Sequence, residues 1–385
     1  MRVRLIGGVV SVTVALLMTS GGVAQASAPW KVLASPNVGQ LSNGLAAVSA
    51  FSRTDAWTVG TSQTSGADFR TLAEHWDGTA WSVVSTPDGG ILDRLNGVVQ
   101  LAPNDAWAVG VDYNLSAQAY QTLVEHWDGS AWTIVPSPNG GTRYDALQAV
   151  AAVGPSDVWA VGVTQTSGQT IRNLTLTEHW DGTSWSIVPS PNRPGESDAW
   201  LLGISAASAN DLWAVGFDHT GALAERWDGA SWSIVTTPNP SGAFGELASV
   251  GAIGSSDVWA VGNSRIAGAQ SRTLTEHWDG KTWTIVASPS NGRLNNFLAG
   301  VSVLAANDVW AVGTFVKQLI PQGSANRTLT EHWNGQRWSI VASPNPGQDD
   351  VLLGSAVAGP TAVLAVGGFT DPSTQRTLVL VNPRA

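Results

Sequence analysis

Five times along this chain a glutamate is followed directly by a histidine: Glu74-His75, Glu125-His126, Glu178-His179, Glu276-His277 and Glu331-His332. A carboxylate beside an imidazole is the stuff of metal ligation and of acid–base catalysis. The spacing argues against both. The pairs recur about once every 50 residues, inside near-copies of Thr175-Leu-Thr-Glu-His-Trp-Asp-Gly-Thr-Ser-Trp-Ser-Ile-Val188 that begin at Thr71, Thr122, Ala222, Thr273 and Thr328. The copy at Ala222 carries Arg226 in the histidine place, and an arginine cannot ligate a metal. A residue found at one place in every copy is presumed architectural, with the imidazole donating a hydrogen bond to a neighbouring repeat. The same holds for the aspartate after each Trp: the sixth copy has Asn334, which suits a tight turn but not calcium ligation by a carboxylate in every copy.

Chemistry is therefore sought among residues that do not repeat, or that ring one end of the repeats. One set is short and polar: Asn43, Asp93, Asp145, Asp198, Glu246, Asn296 and Asp350 each precede a small apolar run. Ringing the mouth of an axial channel, they would hold a calcium ion or hydrogen-bond a sugar; the plainer alternative is that each finishes a turn. A second set is basic: Arg70, Arg272, Arg327 and Arg376, with Arg172 slightly earlier in its repeat. Such a ring would bind carboxylates or anionic glycans bidentately, unless it is consumed in pairing with the acidic set. A third set is asymmetric. Tyr113, Tyr120 and Tyr144 are all the tyrosines of the chain, and they stand with Asp112, Arg143, Trp200 and His219. That mixture of rings and polar groups suits a carbohydrate-binding surface, and packing of the loops on one another is the competing reading. No cofactor is otherwise expected.

These residues need a frame, and the repeat supplies it. The Trp of the phrase Asp157-Val-Trp-Ala-Val-Gly162 recurs at Trp57, Trp107, Trp159, Trp213, Trp259 and Trp310, 46 to 54 residues apart. A seventh phrase, Ala362-Val-Leu-Ala-Val-Gly367, has Leu364 in that place. A period near 50 with several short β-like runs per unit reads as a propeller of four-stranded blades. Strand a is small and apolar (Leu147–Val150), strand b is Val158–Val161 ended by Gly162, strand c is Leu176–Trp180, and strand d is Trp185–Val188. Asp181-Gly182 turns c into d. No stretch keeps a 3.6-residue apolar period, so helix is not expected. The last unit stops at strand c, and the segment Ala28-Pro-Trp-Lys-Val-Leu-Ala-Ser-Pro-Asn37 matches the strand d text Trp338-Ser-Ile-Val-Ala-Ser-Pro-Asn345. The first strand is expected to complete the last blade, closing a single seven-bladed ring over residues 29–385.

The pattern resembles the kelch and galactose-oxidase-like propellers. The correspondence is carried by Val158-Trp-Ala-Val-Gly162, by Trp180-Asp181 and by Trp185 opening the outer strand, with one glycine where those families have two and Trp where they have Tyr. The Asp-Gly-x-x-Trp turn also resembles the Asp-box of sialidase-type propellers, one residue short. These resemblances imply a propeller. Galactose-oxidase chemistry is disfavoured because its thioether cofactor needs a cysteine and the chain has none. Sialidase-like chemistry would look to Tyr113, Tyr120 or Tyr144 with Arg143.

Composition narrows the partners. The net charge is -10, from 19 Lys and Arg against 29 Asp and Glu, which argues against nucleic acid. Residues 1–26 read as a secretory signal: Arg2 and Arg4, the apolar Leu5–Met18, then Ala24-Gln-Ala26, with cleavage up to residue 28 as the alternative. A secreted bacterial monomer, without disulfides or a membrane span in the mature chain, is expected. Its long b–c and d–a loops emerge on one face, where a rigid scaffold displays binding groups. The leading expectation is a non-enzymatic binder of extracellular or cell-envelope carbohydrate; the alternatives are a glycan-active hydrolase or lyase, and a rigid protein-docking scaffold.

Overall fold

The computed structural model describes residues 30–383, apart from 67, 88, 167–169, 196 and 321–322. The signal sequence expected over residues 1–26 lies outside the described residues. Seven antiparallel four-stranded sheets form a ring, and no helix occurs among the described residues. The protein is a seven-bladed β-propeller. Blades 1 to 6 begin with strand a at Asn43–Ser52, Arg94–Ala102, Asp145–Gly154, Trp200–Ser208, Ala243–Gly254 and Asn296–Ala305. Blade 7 takes strands a to c from Asp350–Val357, Ala362–Asp371 and Thr374–Pro383, and its fourth strand is Lys31–Leu33. That closing strand pairs Lys31 with Val381, Val32 with Leu380 and Leu33 with Val379.

Each blade is two-faced because successive strand residues point to opposite sides. In blade 1, Trp57, Val59 and Ala73 pack forward on Leu95, Ala108 and Trp132 of blade 2. The alternate residues Ala56 and Leu72 pack backward on Leu364, Val366 and Val379 of blade 7. The core is thus seven inter-blade layers. The three repeated Trp divide two tasks: those of strands b and d pair across the blade boundary, and that of strand c ties the a–b turn. Trp57 of strand b is almost fully buried and lies edge to face against Trp132 of the next blade, with centroids 5.0 Å apart and planes at 84°. Such pairs add about 1 kcal/mol beyond their area. Trp76 of strand c donates its indole N–H to the Arg53 carbonyl, tying the a–b turn to the end of strand c, and the five equivalent Trp do the same. Trp30 fills the strand d place in blade 7 and meets Trp310 at 5.4 Å and 86°.

The Asp-Gly turn forms as its chemistry requires. Asp181 Oδ1 accepts the amides of Thr183 and Ser184, and Gly182 has φ of 93°. Asn334 makes the same two bonds in blade 6, to Gln336 and Arg337.

Strand b differs from expectation. It does not end at its glycine but runs on, as in Asp157–Gln165. The glycine faces a β-bulge that recurs at the same point of strand a in all seven blades, for example between Leu147 and Ala149. The bulge drives a strand a carbonyl against the glycine. A Cβ on Gly110 would lie 1.8 Å from the Arg94 oxygen, and one on Gly162 would lie 1.9 Å from the Ala146 oxygen. Gly110→Ala is therefore expected to cost about 3 kcal/mol, read as a lowered denaturation midpoint. The seven bulges also line the axial channel, about 200 Å³, with Ala46, Asn96, Gln148, Leu202, Ala248, Ala299 and Leu353 at the bulge positions.

Candidate functional site on the loop face

Strand alternation settles the Glu-His pairs. Glutamate and histidine point to opposite faces of the blade, so they form no joint site. Each histidine meets the aspartate of the Asp-x-Trp phrase within its own blade, not a neighbour as expected: His75–Asp55 at 2.9 Å, with the same contact at His126–Asp105, His179–Asp157, His277–Asp257 and His332–Asp308. Arg226 substitutes by bonding Asp211 at 2.8 Å. Blade 7 drops both partners together, with Val381 and Ala362 in their places.

The glutamates do reach between blades. Ser35, just past the closing strand, donates to Glu74 of blade 1, and Ser190 of blade 3 donates to Glu225 of blade 4, each at 2.7 Å. All six, including Glu125, are fully buried. Neither oxygen of Glu178, Glu276 or Glu331 has a hydrogen-bond partner among the described residues. Burial pushes Glu74 up to about 7, and Glu178, Glu225, Glu276 and Glu331 up to about 8.

The seven short polar residues take several roles. Asn43, Asp93, Asp145, Asn296 and Asp350 are buried and tie up the loop that delivers strand a. Asn43 donates to the Leu41 carbonyl, Asp93 accepts the amides of Gly89 and Gly90, and Asp145 accepts that of Gly141. Asn296 accepts from Asn291, and Asp350 from Gly347. Burial raises Asp145 and Asp350. Asp198 is exposed, accepting from Asn173 and Trp200, and Glu246 is half-buried, with burial raising it. No group of three or more His, Asp or Glu is placed to hold a metal among the described residues.

The arginines act as struts between blades. Arg70 donates to the Gly90 carbonyl at 2.6 Å, Arg272 to that of Gly292 at 3.0 Å and Arg327 to that of Gln348 at 2.7 Å. Arg327 also pairs with Asp350 at 3.1 Å, joining the basic and acidic sets at one point. Arg376 lies opposite Phe369 at the start of the last strand c, half-buried, and Arg172 is exposed.

The tyrosine set comes together, and in a form the sequence did not disclose. Tyr113 meets Tyr120 at 4.9 Å, Tyr120 meets Tyr144 at 5.3 Å, and Tyr144 meets Trp200 at 6.0 Å. The row continues through Phe217, stacked on Trp200 at 6.5 Å and 14°, to Phe244 at 6.2 Å. Six aromatic rings thus run across blades 2 to 5. Its middle is anchored: Tyr120, Tyr144 and Trp200 pack on buried Val111, Ala146 and Val163, and the Tyr120 amide bonds the Arg143 carbonyl. Trp200 is the first residue of strand a in blade 4, half-buried, rather than an exposed platform in a linker. Phe244 stays 41% exposed. Arg143 and His219 are exposed, the latter in the b–c turn of blade 4. Asp112, beside Tyr113, is pushed up to about 6 by burial and then by the nearby Asp93. Phe217 and Phe244 escaped sequence reasoning. The available signal was register: once strand b runs past Gly216, Phe217 falls opposite Trp200.

No family model matches the chain. No curated protein matches it either. Solved structures do. YCF48 bound to a D1 peptide is 15% identical over 93% of this chain and 97% of that one, with a TM-score of 0.55. A protein of unknown function from Dyadobacter fermentans is 11% identical over 93% and 99%, at 0.53. An ulvan lyase bound to -[GlcA(1-4)Rha3S]- is 12% identical over 89% and 95%, at 0.52. At these identities the likeness is one of fold, and it covers nearly the whole chain: the family resemblance that the findings support is that of the seven-bladed propeller.

Proposed function

We propose that the protein is an exported, non-catalytic propeller that binds an extended carbohydrate, of the cell envelope or the extracellular space, along the aromatic row of its loop face. The row carries this reading. Six rings span four blades on one face of a rigid ring, flanked by Asp112, Arg143, Asp198 and His219 as hydrogen-bonding groups. Rings with polar neighbours on a fixed frame are what sugar recognition requires. The basic start and small-x-small site of residues 1–26 support export.

A protein-docking role is the second reading. Several rings meet edge to face, at 64° for Tyr113 and Tyr120, so they offer notches for side chains as well as flat faces. A propeller of the same fold is known with a peptide bound, and another with a sulfated polysaccharide fragment. A paired-carboxylate hydrolase or lyase would need two acids in one cleft. Retention of the mature chain on an array of glycans and of peptides separates the two binding readings. Hits confined to glycans are expected; hits confined to peptides overturn the carbohydrate assignment.

A further inference from the structure

Apart from the aromatic row, the loop face has a cleft of about 600 Å³ over blade 6, between the loops that join it to blades 5 and 7, lined by Arg293, Leu294, Phe315, Lys317 and Arg327 among others. Three cations converge there in a chain that has ten fewer basic than acidic residues, and no Asp or Glu lines it.

Each cation is delivered differently. Arg327 is a fixed anchor. Among the described residues its bonds, to Asn326, Gln348 and Asp350, are made by Nη1, and Nε and Nη2 are not engaged. Lys317 stands at a β-bulge: strand b of blade 6 is unusually long, Asp308–Ile320, and its pairing skips from Val316 to Gln318. A bulge re-aims the residue it leaves unpaired. Lys317 is one of only three lysines in the chain. Arg293 comes from the loop entering blade 6 and is exposed, as is Lys317, and neither makes a hydrogen bond or ion pair among the described residues. Phe315 and Leu294 add an apolar wall.

We infer that this cleft is a binding site for a carboxylate-bearing ligand of one or two rings' size. A guanidinium fork matches a carboxylate bidentately, and an ammonium adds a second donor. The volume is that of an ordinary small-ligand site, and the apolar wall accommodates the ligand's body. Asp350 offsets the charge of Arg327 alone, so Arg293 and Lys317 leave the cleft net positive, which raises the local concentration of anions. The carboxylate can come from a sugar acid or from a free organic acid.

The test is isothermal titration of the whole mature protein with digalacturonate, with citrate and with neutral cellobiose. Digalacturonate or citrate is expected to bind, more weakly as salt rises, and cellobiose is not expected to bind in this cleft. Whichever acid binds more tightly identifies the source of the carboxylate. Lys317→Gln and Arg293→Gln are each expected to weaken acid binding about tenfold at unchanged melting temperature, since both are exposed. Absence of binding by both acids at millimolar concentration overturns the proposal. So does acid binding that neither substitution weakens. Tyr113→Ala, in the aromatic row, is expected to leave acid binding intact, which keeps failure here distinct from failure of the carbohydrate reading.

Discussion

The melting temperature of this protein is expected to rise as the pH is lowered from 8 to 5. Burial raises five inter-blade glutamates, Glu74 to about 7 and Glu178, Glu225, Glu276 and Glu331 to about 8. A carboxyl whose folded value lies above its unfolded one near 4.5 holds its proton in the folded chain while the unfolded chain releases it. Its contribution is fully present below the unfolded value and is lost as the pH climbs through the folded one. Each such group is worth up to about 1.4 kcal/mol per pH unit in that window. Even a fraction of that from five groups amounts to several kcal/mol. Asp112, raised to about 6, acts in the same direction. His332, lowered by burial, acts in the opposite one, as a single group. Below about pH 4 the trend reverses. The turn aspartates Asp77, Asp128 and Asp181 are held down at about 2 by hydrogen bonds from the following Thr or Ser side chain and two backbone amides, and that stability is lost as they protonate. Glu276→Gln keeps the shape and removes the charge, so it is expected to raise the melting temperature at pH 8 and to flatten the profile. A profile that is flat or falling between pH 8 and 5 would contradict this account of the inter-blade layer.

Replacement of Trp30 is expected to be the most damaging change at any single residue outside the glycines. The side chain is 4% exposed and packs with Leu378, Leu380 and Trp310. Truncating a buried Trp costs about 3–5 kcal/mol. Here the loss falls on the seam. Three residue pairs hold the closing strand, and Ser35 bridges Thr377 of blade 7 to Glu74 of blade 1. Trp338→Ala removes the equivalent ring in blade 6, where strand d follows strand c along the chain. Trp30→Ala should therefore broaden the urea transition and expose blade 7 to protease, whereas Trp338→Ala should shift the midpoint without broadening. A Trp30→Ala protein within 1 kcal/mol of the parent would show that the ring does not depend on this strand.

The fold was legible because repetition does the work that an alignment would do. Trp57 and its counterparts, the Asp-Gly turns and the match between Trp30 and Trp338 all lie in the text of the sequence and all reappear in the sheets. What remained hidden was local backbone geometry. Gly162 reads as a strand terminator because glycine ends many strands; it is instead the residue that lets strand a bulge against strand b. That misreading shortened strand b, which concealed both Phe217 opposite Trp200 and Lys317 at its bulge. Burial was also unreadable. Asp93 and Asp350 read in the sequence either as channel-mouth ligands or as residues that finish a turn, and they are enclosed and bonded to their own loops, in keeping with the second reading. The aromatic candidates fared differently because Tyr113, Tyr120, Tyr144 and Trp200 are unrepeated, and they sit where the strands meet the long loops, outside the repeated core of each blade.

The division of labour between repeated scaffold and unrepeated loop face can be measured directly on the ends of the aromatic row. Tyr144 and Trp200 are poor probes, because they also pack on Val111, Ala146 and Val163. Phe244, 41% exposed, and Tyr113, half-buried, have less of the core resting on them. The affinity of the Tyr113→Ala, Phe244→Ala double variant for a glycan retained by the parent, read together with its melting temperature, is the decisive measurement. Binding is expected to fall at least about tenfold, or 1.4 kcal/mol, while the melting temperature moves by no more than about 2 °C. Binding unchanged in that variant, or lost only in step with stability, would contradict the assignment of the loop face as the binding surface.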